Sequence, residues 1–275
     1  IVSRLENSNT YHSYLLTSSG INLTPVVTNI GPFHVNSSGY LKASPNGNRL
    51  VAANTCFTGC GLIQHSIDIF DFDRNSGLLS NERIIYPIST RRPYGVEFSP
   101  NSNLLYISFS TQANPAEILQ YNLLAGSGTA LDIDNSKILI NTSIGNSGAL
   151  QIGPDQKIYH SQYTTSYLGV IDSPNLPGIS CNYIQNGVAL NSGLCAMGLP
   201  TFYSSVFNSE PSGCDSVATA IITINNSTSN KTTLTECDSY TWPLNGIAYP
   251  VSGVYTFTSA NTTGCPHIDS LDLAI

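Results

Sequence analysis

The sequence has few charged residues and no long apolar segment, and these two absences exclude several classes of protein. Only 10% of its 275 residues are charged, compared with about 25% in an ordinary soluble domain. With 10 basic and 17 acidic residues, the net charge is −7, so no basic surface is available for a nucleic-acid backbone. No stretch approaches the roughly 18 apolar residues of a membrane helix. We therefore expect neither a nucleic-acid partner nor a membrane span.

Small uncharged polar residues take the place of the missing charges. Ser, Thr and Asn together fill 87 of the 275 positions, and the mean hydropathy is +0.01. These residues favour turns and strand surfaces over helix interiors. The composition therefore favours an all-β chain, long enough for one large domain or two smaller ones.

A strand–turn–strand pattern occurs three times, at residues 39–53, 93–108 and 148–160. Pro45, Pro100 and Pro154 mark equivalent turns, because Pro followed by Asn or Asp favours a type I turn. A second hairpin follows each pattern, at residues 66–85, 117–140 and 167–190. Four strands in a period of about 50 residues are typical of a β-propeller blade.

The two ends of this region predict an incomplete propeller. Residues 11–30 match only the second half of a blade, and residues 198–207 resemble one terminal strand. Residues 1–207 therefore predict about three and a half four-stranded blades, incomplete at the N-terminal side. We expect no closed ring, with the missing blades supplied beside Tyr14 and Phe202 by a preceding segment of the polypeptide or by another chain.

A different repeat follows residue 207. Residues 213–224 align without gaps on residues 264–275, and Trp242 is placed to anchor a small core. We interpret residues 208–224 as the terminal part of a first Ig-like repeat and residues 225–275 as a second, small Ig-like β-sandwich. The predicted fold class is thus all-β, a partial β-propeller followed by Ig-like repeats.

Together these motifs resemble the large secreted surface proteins of Bacteroidetes, exported by the type IX secretion system and often described as gliding-motility-associated or adhesin-like. The resemblance is carried by the blade motifs at 39–47, 94–100, 148–155 and 198–202, and by the Cys-Asp-Ser-Tyr-Thr-Trp to Gly-Cys repeat at 237–265. It implies an extracellular or cell-surface location, with other surface or secretion-system proteins and glycans as partners. It also implies O-glycans at Ser216 and Ser270, in Asp-Ser-apolar signals.

Seven cysteines bear on the compartment. No Cys-x-x-Cys motif occurs and the five histidines are scattered, so the spacing predicts no structural metal site. Local pairing into disulfides is predicted for Cys56 with Cys60, Cys181 with Cys195 and Cys237 with Cys265, leaving Cys214 alone. Buried, reduced cysteine is the alternative, but the Lys-poor composition favours an oxidising, extracellular setting.

No catalytic motif is evident. The sequence has neither a Gly-x-Ser-x-Gly elbow nor a His-Glu-x-x-His helix, and no cofactor or metal is predicted. Asp71, Asp73, Asn75 and Glu82 follow calcium-loop spacing, but the glycine is displaced to Gly77, which favours a hairpin.

Two functional hypotheses follow. The first is a non-catalytic extracellular surface or adhesin protein, and the alternative is a lactonase-like propeller hydrolase with accessory repeats. Tyr163 and Tyr167, in a loop segment, are the candidate ligand surface.

Overall fold

The computed structural model describes residues 1–35, 38–56, 65–88, 91–110, 115–143, 147–200 and 227–275. The chain divides into two compact units, residues 1–212 and 213–275. The predicted boundary at residue 207 and the predicted segment 208–224 lie outside the described residues. Within the described ranges, no helix has the length and apolar character needed to cross a membrane.

The first unit begins with a three-stranded sheet of β1 (Val2–Arg4), β2 (Ser8–Ser13) and β5 (Val26–His34), with a small hairpin of β3 (Leu16–Thr17) and β4 (Gly20–Ile21) inserted. A second sheet contains β6 (Leu41–Ala43), β7 (Arg49–Asn54), β8 (Ser66–Phe72) and β9 (Leu79–Ile85). A third contains β10 (Arg92–Phe98), β11 (Leu104–Ser110), β12 (Ala116–Asn122) and β13 (Ile138–Ser143). The fourth contains β14 (Ser147–Ile152), β15 (Ile158–Gln162), β16 (Tyr167–Ile171) and β17 (Tyr183–Ala189).

Each four-stranded sheet is an antiparallel meander in chain order, as expected of a propeller blade. Two short helices lie in connections predicted as turns: α1 (Ala130–Asn135) joins β12 to β13, and a 3-10 turn (Gly178–Cys181) precedes β17. Thr129 and Asp132 cap α1 reciprocally. The prediction of an all-β chain with partial propeller blades is confirmed. Of the terminal strand predicted at 198–207, residues 198–200 are not in a strand, and residues 201–207 lie outside the described residues.

The sheets stack through three apolar clusters, one in each gap between neighbouring sheets. Tyr11 and Phe70 pack between the first and second sheets. The largest cluster fills the gap between the second and third, where Phe98, Ile107 and Phe109 are fully buried. Because strand side chains alternate between faces, the second and third sheets each contribute apolar residues to two gaps.

The innermost strands β6, β10 and β14 pack side by side, with β10 in the middle. Gly95 on β10 permits the closest approach: a Cβ built there would lie 2.4 Å from the carbonyl oxygen of Gly148 and 2.7 Å from Oγ of Ser108. The Gly95 N–H donates to Ser108 Oγ, which in turn donates to the Gly148 carbonyl at 2.5 Å. A side chain at position 95 would therefore push β10 away from β14.

The second unit has five described strands, β18 (Thr228–Thr235), β19 (Tyr240–Trp242), β20 (Ile247–Tyr249), β21 (Gly253–Ala260) and β22 (Pro266–Ala274). β22 is the centre of a three-stranded sheet, parallel to β18 and antiparallel to β21, and β19 pairs with β20. Trp242 packs with Leu271 and Leu273 in a small core, as the sequence predicts. The Ig-like class of this unit stays a prediction.

The predicted Cys237–Cys265 disulfide is wrong, because parallel pairing places the two residues at opposite ends of β22. Cys237 follows β18, whose last residue pairs with Ala274, whereas Cys265 immediately precedes Pro266. Nine residues of strand span about 30 Å, far beyond the roughly 7 Å that a disulfide allows between Cα atoms. Cys237 carries a free thiol.

The predicted Cys181–Cys195 disulfide is also wrong, because the two residues lie at opposite ends of β16. Cys181 is buried beside the end of β16, where its carbonyl accepts from the N–H of Ser173. Cys195 lies at the other end, with its Sγ 3.2 Å from the Tyr167 carbonyl oxygen. The five residues of β16 separate them by about 16 Å, and both thiols are free. Cys56 is disulfide-bonded, while its predicted partner Cys60 lies outside the described residues.

Replacing Gly95 with Ala should destabilise the first unit by about 3 kcal/mol, because the new methyl group overlaps backbone atoms of β14. Gly128→Ala is the matched control: its Cβ meets nothing within 4 Å and only its φ of +77° is unfavourable, at a cost of about 1 kcal/mol. Urea unfolding measures both. Equal losses for the two variants would contradict the close approach of β10 to β14.

Candidate functional site

Three polar residues occupy equivalent positions on the three innermost strands. Lys42 on β6 and Glu97 on β10 each stand three residues before the proline of the following turn, as Gln151 does on β14. Their strand neighbours are apolar in all three repeats. Because the innermost strands pack side by side, these three side chains converge, and we call them the axial cluster.

The axial cluster is an ion pair held by an amide. Lys42 Nζ donates to Glu97 Oε2 at 2.9 Å and to Gln151 Oε1 at 2.5 Å. The backbone N–H of Ile152 also donates to Glu97 Oε2, and that of Phe98 donates to Oε1. Glu97 Oε1 thus has one recorded donor among the described residues. A carboxylate oxygen can accept two hydrogen bonds, so Oε1 keeps the capacity to accept a further one.

Burial dominates the electrostatics of this cluster. The side chain of Glu97 is 1% exposed and that of Lys42 10%. Burial raises the pKa of Glu97 above its ordinary value, although the Lys42 charge and the hydrogen bonds from Ile152 and Phe98 oppose the shift. A carboxylate with a raised pKa is a better proton acceptor near neutral pH than a surface carboxylate. The pair thus joins a base to a fixed positive charge.

In the described part of the chain, no group of three His, Cys, Asp or Glu side chains is arranged to hold a metal ion. Asp71 pairs with Arg83, Glu82 accepts from the Gly31 N–H, and Asp73 accepts from Asn75 and Ser76 within the β8–β9 turn. The calcium-like spacing therefore belongs to a hairpin.

A second polar group lies buried between the first and second sheets. Asp68 accepts from His34 Nε2 at 2.8 Å, from Asn54 Nδ2 at 2.8 Å and from Ser66 Oγ at 2.6 Å. Arg4 donates to Asn54 Oδ1 at 2.5 Å. A nucleophilic triad requires His between the hydroxyl and the carboxylate, whereas here Asp68 takes the central place. This network joins two sheets.

His160 does lie between a hydroxyl and a second group. Its Nε2 is 2.6 Å from Ser147 Oγ, and its Nδ1 is 2.9 Å from the hydroxyl of Tyr183. Burial lowers the pKa of His160 to about 3, so the ring is neutral but a weak base at pH 7. His160 and Ser147 are fully buried. The His160, Ser147 and Tyr183 side chains therefore stabilise the packing of the fourth sheet and are poorly suited to catalysis.

The structure scatters the predicted site residues. Tyr163 lies in the turn after β15 and Tyr167 begins β16; both are exposed. Ser270 is half-buried on the central strand β22, and Ser216 lies outside the described residues. The ligand surface and the O-glycans stay predictions.

Sequence reasoning missed the axial cluster. Aligning the three repeats on their prolines shows a polar residue at one shared position in each. Because every inner strand repeats this feature, the alignment contains the signal that identifies the site.

No protein-family model and no curated protein matches the chain. Among solved structures, it is similar to the periplasmic gluconolactonase of Pseudomonas aeruginosa, with 14% identity, a TM-score of 0.42 and coverage of 59% of this chain and 46% of that one. Putative 6-phosphogluconolactonases of Bacteroides uniformis and Bacteroides fragilis share 14% and 12% identity, with TM-scores of 0.44 and 0.45. They cover 69% and 74% of this chain and 52% and 60% of their own.

The chain thus spans about half the length of these structures. The expectation of a non-catalytic surface or adhesin protein is corrected here, since proteins with lactonase names recur among the similar structures and favour the hydrolase alternative. At this identity the likeness shows the fold alone.

Protonation of His160 should destabilise the first unit in acid. The folded pKa lies below the unfolded value of 6.5, so this contribution to stability is complete above pH 6.5 and is lost as the pH falls towards 3. The loss is about 1.4 kcal/mol per pH unit. We expect urea unfolding of His160→Gln to depend less on pH between 6 and 4 than that of the parent. The matched control is His12→Gln, at a partly exposed position. Parallel pH curves for parent and His160→Gln would contradict this.

Proposed function

We propose that the first unit is a hydrolase that opens lactones or small esters, with Glu97 and Lys42 as its reactive pair. The observation that carries this proposal is the buried ion pair at equivalent positions of the innermost strands. A buried ion pair contributes little net stability, because desolvation offsets the attraction between the charges. Its cost is better explained by chemistry than by folding.

Each member of the axial cluster has a distinct role in this reaction. Glu97 Oε1 accepts a proton from water as the water oxygen attacks the carbonyl carbon. The carbonyl π electrons move to oxygen, and the Lys42 ammonium stabilises the resulting oxyanion. When the tetrahedral intermediate collapses, the carbon–oxygen ester bond breaks and the leaving alkoxide takes the proton from Glu97. Gln151 positions Lys42 through its 2.5 Å hydrogen bond.

Access is through Lys42. Its side chain is the more exposed of the pair, and its Nζ lies 5.9 Å from the ring centre of Tyr40, the residue before β6. A substrate that approaches Lys42 places its carbonyl oxygen on the ammonium first and its carbonyl carbon next to the carboxylate. This order suits a neutral lactone, since an anionic substrate would meet the Glu97 charge.

We also propose that the chain is exported to an oxidising compartment. The disulfide at Cys56 and the shortage of lysine and arginine support this. The resemblance to type IX secreted proteins, and the surface and secretion-system partners that it implies, stay predictions.

We expect the full chain to hydrolyse glucono-1,5-lactone or another lactone faster than buffer alone, measured as acid release in a pH-stat. Glu97→Gln should lower kcat by about 10²- to 10³-fold through loss of the base, and Lys42→Met by a similar factor through loss of the oxyanion charge. The rate should increase with pH up to the raised pKa of Glu97. The control is Glu117→Gln, which removes a comparable ion pair with Arg91 away from the axis.

A folding defect is separated from a catalytic one by the double variant Lys42→Met with Glu97→Gln. It removes both charges together, so no unpaired charge stays buried. The proposal is wrong if the parent hydrolyses none of a panel of lactones and esters above the buffer rate, or if folded Glu97→Gln retains the parent rate.

Peptide mapping without reductant should find Cys56 joined to Cys60 in protein purified from its native host. Alkylation of Cys56 in that material would contradict the oxidising location, because a reduced Cys56 is the form expected in the cytosol.

A further inference from the structure

A cavity of about 510 Å³ opens at the rim of the gap between the second and third sheets. Its volume is within the range of small-molecule sites, about 300–1,000 Å³. One wall is the second sheet and the other is the connection from β12 to α1. Its polar lining consists of Arg49, Asn81, Glu82, Arg83, Ser127 and Thr129.

The two arginines stand where the next repeat has apolar residues. Arg49 lies opposite Asp71 in the strand register of β7 and β8, as Leu104 lies opposite Asn122 in that of β11 and β12. By the same register, Arg83 on β9 corresponds to Ile138 on β13. The second sheet thus has the same strand register as the third at these positions. It carries two guanidinium groups that face one cavity where the third sheet has two aliphatic side chains.

The corresponding gap between the third and fourth sheets is filled. Tyr106 donates its hydroxyl to the Pro174 carbonyl, and Gln120 both donates to the Leu176 carbonyl and accepts from the Gly178 N–H. The positions of Tyr106 and Gln120 in the second sheet are Val51 and Ile69, which cannot make such bonds. The cavity therefore replaces a filled gap.

Arg83 is held in place but incompletely bonded. It is nine-tenths buried, and its Nη2 pairs with Asp71 Oδ1. Asp71 Oδ2 accepts from Asn81 instead, at 2.8 Å, and Arg83 Nε is buried without a hydrogen-bond partner among the described residues. Asn81 adopts a φ of +51° in a bulge of β9. Such bulges re-aim side chains near binding sites.

Arg49 has more unused capacity for hydrogen bonds and ion pairs than Arg83. Among the described residues, the one hydrogen bond of its guanidinium group runs from Nη1 to the Ser102 carbonyl, and the group forms no ion pair. Burial and the neighbouring Arg83 charge lower the pKa of Arg49, and the Asp71 charge opposes this shift. An anion placed between the two guanidinium groups would offset both lowering effects further.

The charges around the cavity limit the anion that it can hold. The carboxylates of Asp71, Glu82 and Asp132 outnumber the two arginines, so a polyanion would meet repulsion. A single carboxylate can still pair with Arg49, which forms no ion pair among the described residues. Ser127 and Thr129 donate their hydroxyls to Asp132 at 2.8 and 2.9 Å and keep oxygen lone pairs as acceptors. Asn81 and Glu82 add further polar groups. This lining suits a ligand with hydroxyls beside its carboxylate.

We propose that this cavity binds a carboxylated sugar, with the carboxylate on Arg49 and the ring hydroxyls on Asn81, Glu82, Ser127 and Thr129. The site is separate from the axial cluster and does not depend on its activity.

Calorimetric titration of the full chain with D-glucuronate, D-glucose and acetate tests the carboxylate and the hydroxyls separately, and titration with inorganic phosphate tests the preference for a carboxylate. We expect saturable binding of glucuronate, and binding at least about tenfold weaker for glucose, which lacks the charged group, and for acetate, which lacks the hydroxyls. Arg49→Met should weaken glucuronate binding about tenfold or more. Arg91→Met removes an arginine already paired with Glu117 and should leave binding unchanged.

Four results would overturn the proposal: no saturable glucuronate binding by the parent, equal affinity for glucose, inorganic phosphate bound more tightly than glucuronate, or an unchanged affinity in folded Arg49→Met. The first three use only the parent protein, so a folding defect in the variant does not affect them.

Discussion

The close approach of the three innermost strands is the constraint on which the rest of the first unit depends. Gly95 lets β10 meet β14 at a distance that no side chain would permit, and the apolar gaps then form on either side. The same approach brings three side chains from strands far apart in sequence into hydrogen-bonding contact. The axial cluster is therefore a consequence of β packing, and any change that separates these strands should disturb the fold and the candidate site together.

The blade backbone is repeated along the first unit, but the three gaps between neighbouring sheets contain different polar groups. The first gap holds a buried His, Asp, Ser and Asn network centred on Asp68, the second an open cavity lined by arginine, and the third a loop tied down by Tyr106 and Gln120. Equivalent backbone positions hold Arg49 in one repeat and Leu104 in the next. Because the apolar centre of each gap stabilises the stack, residues at the rim can vary without loss of the fold.

The features predicted well from sequence are local ones. Proline turns and alternating strands depend on neighbours within a few residues, so the meanders follow from the pattern. The helix α1 was missed because six residues are too few for helical periodicity, although its Thr129 and Asp132 cap is visible in the sequence. The pairing of Cys237 with Cys265 was wrong because spacing does not reveal that β18 runs parallel to β22. The axial cluster requires knowing that three strands meet.

The chain has only 10 basic residues, and three of them, Lys42, Arg49 and Arg83, lie in the axial cluster or the rim cavity. Serine, threonine, asparagine and the 17 acidic residues far outnumber the basic ones in the sequence, so these cations are not needed for solubility. Each of the three is at least partly buried, where a charge costs free energy unless it is paired. Lys42 and Arg83 each have one carboxylate partner, and Arg49 forms no ion pair among the described residues. Ligands that bind to these cations best explain why a chain with so few positive charges buries three of them.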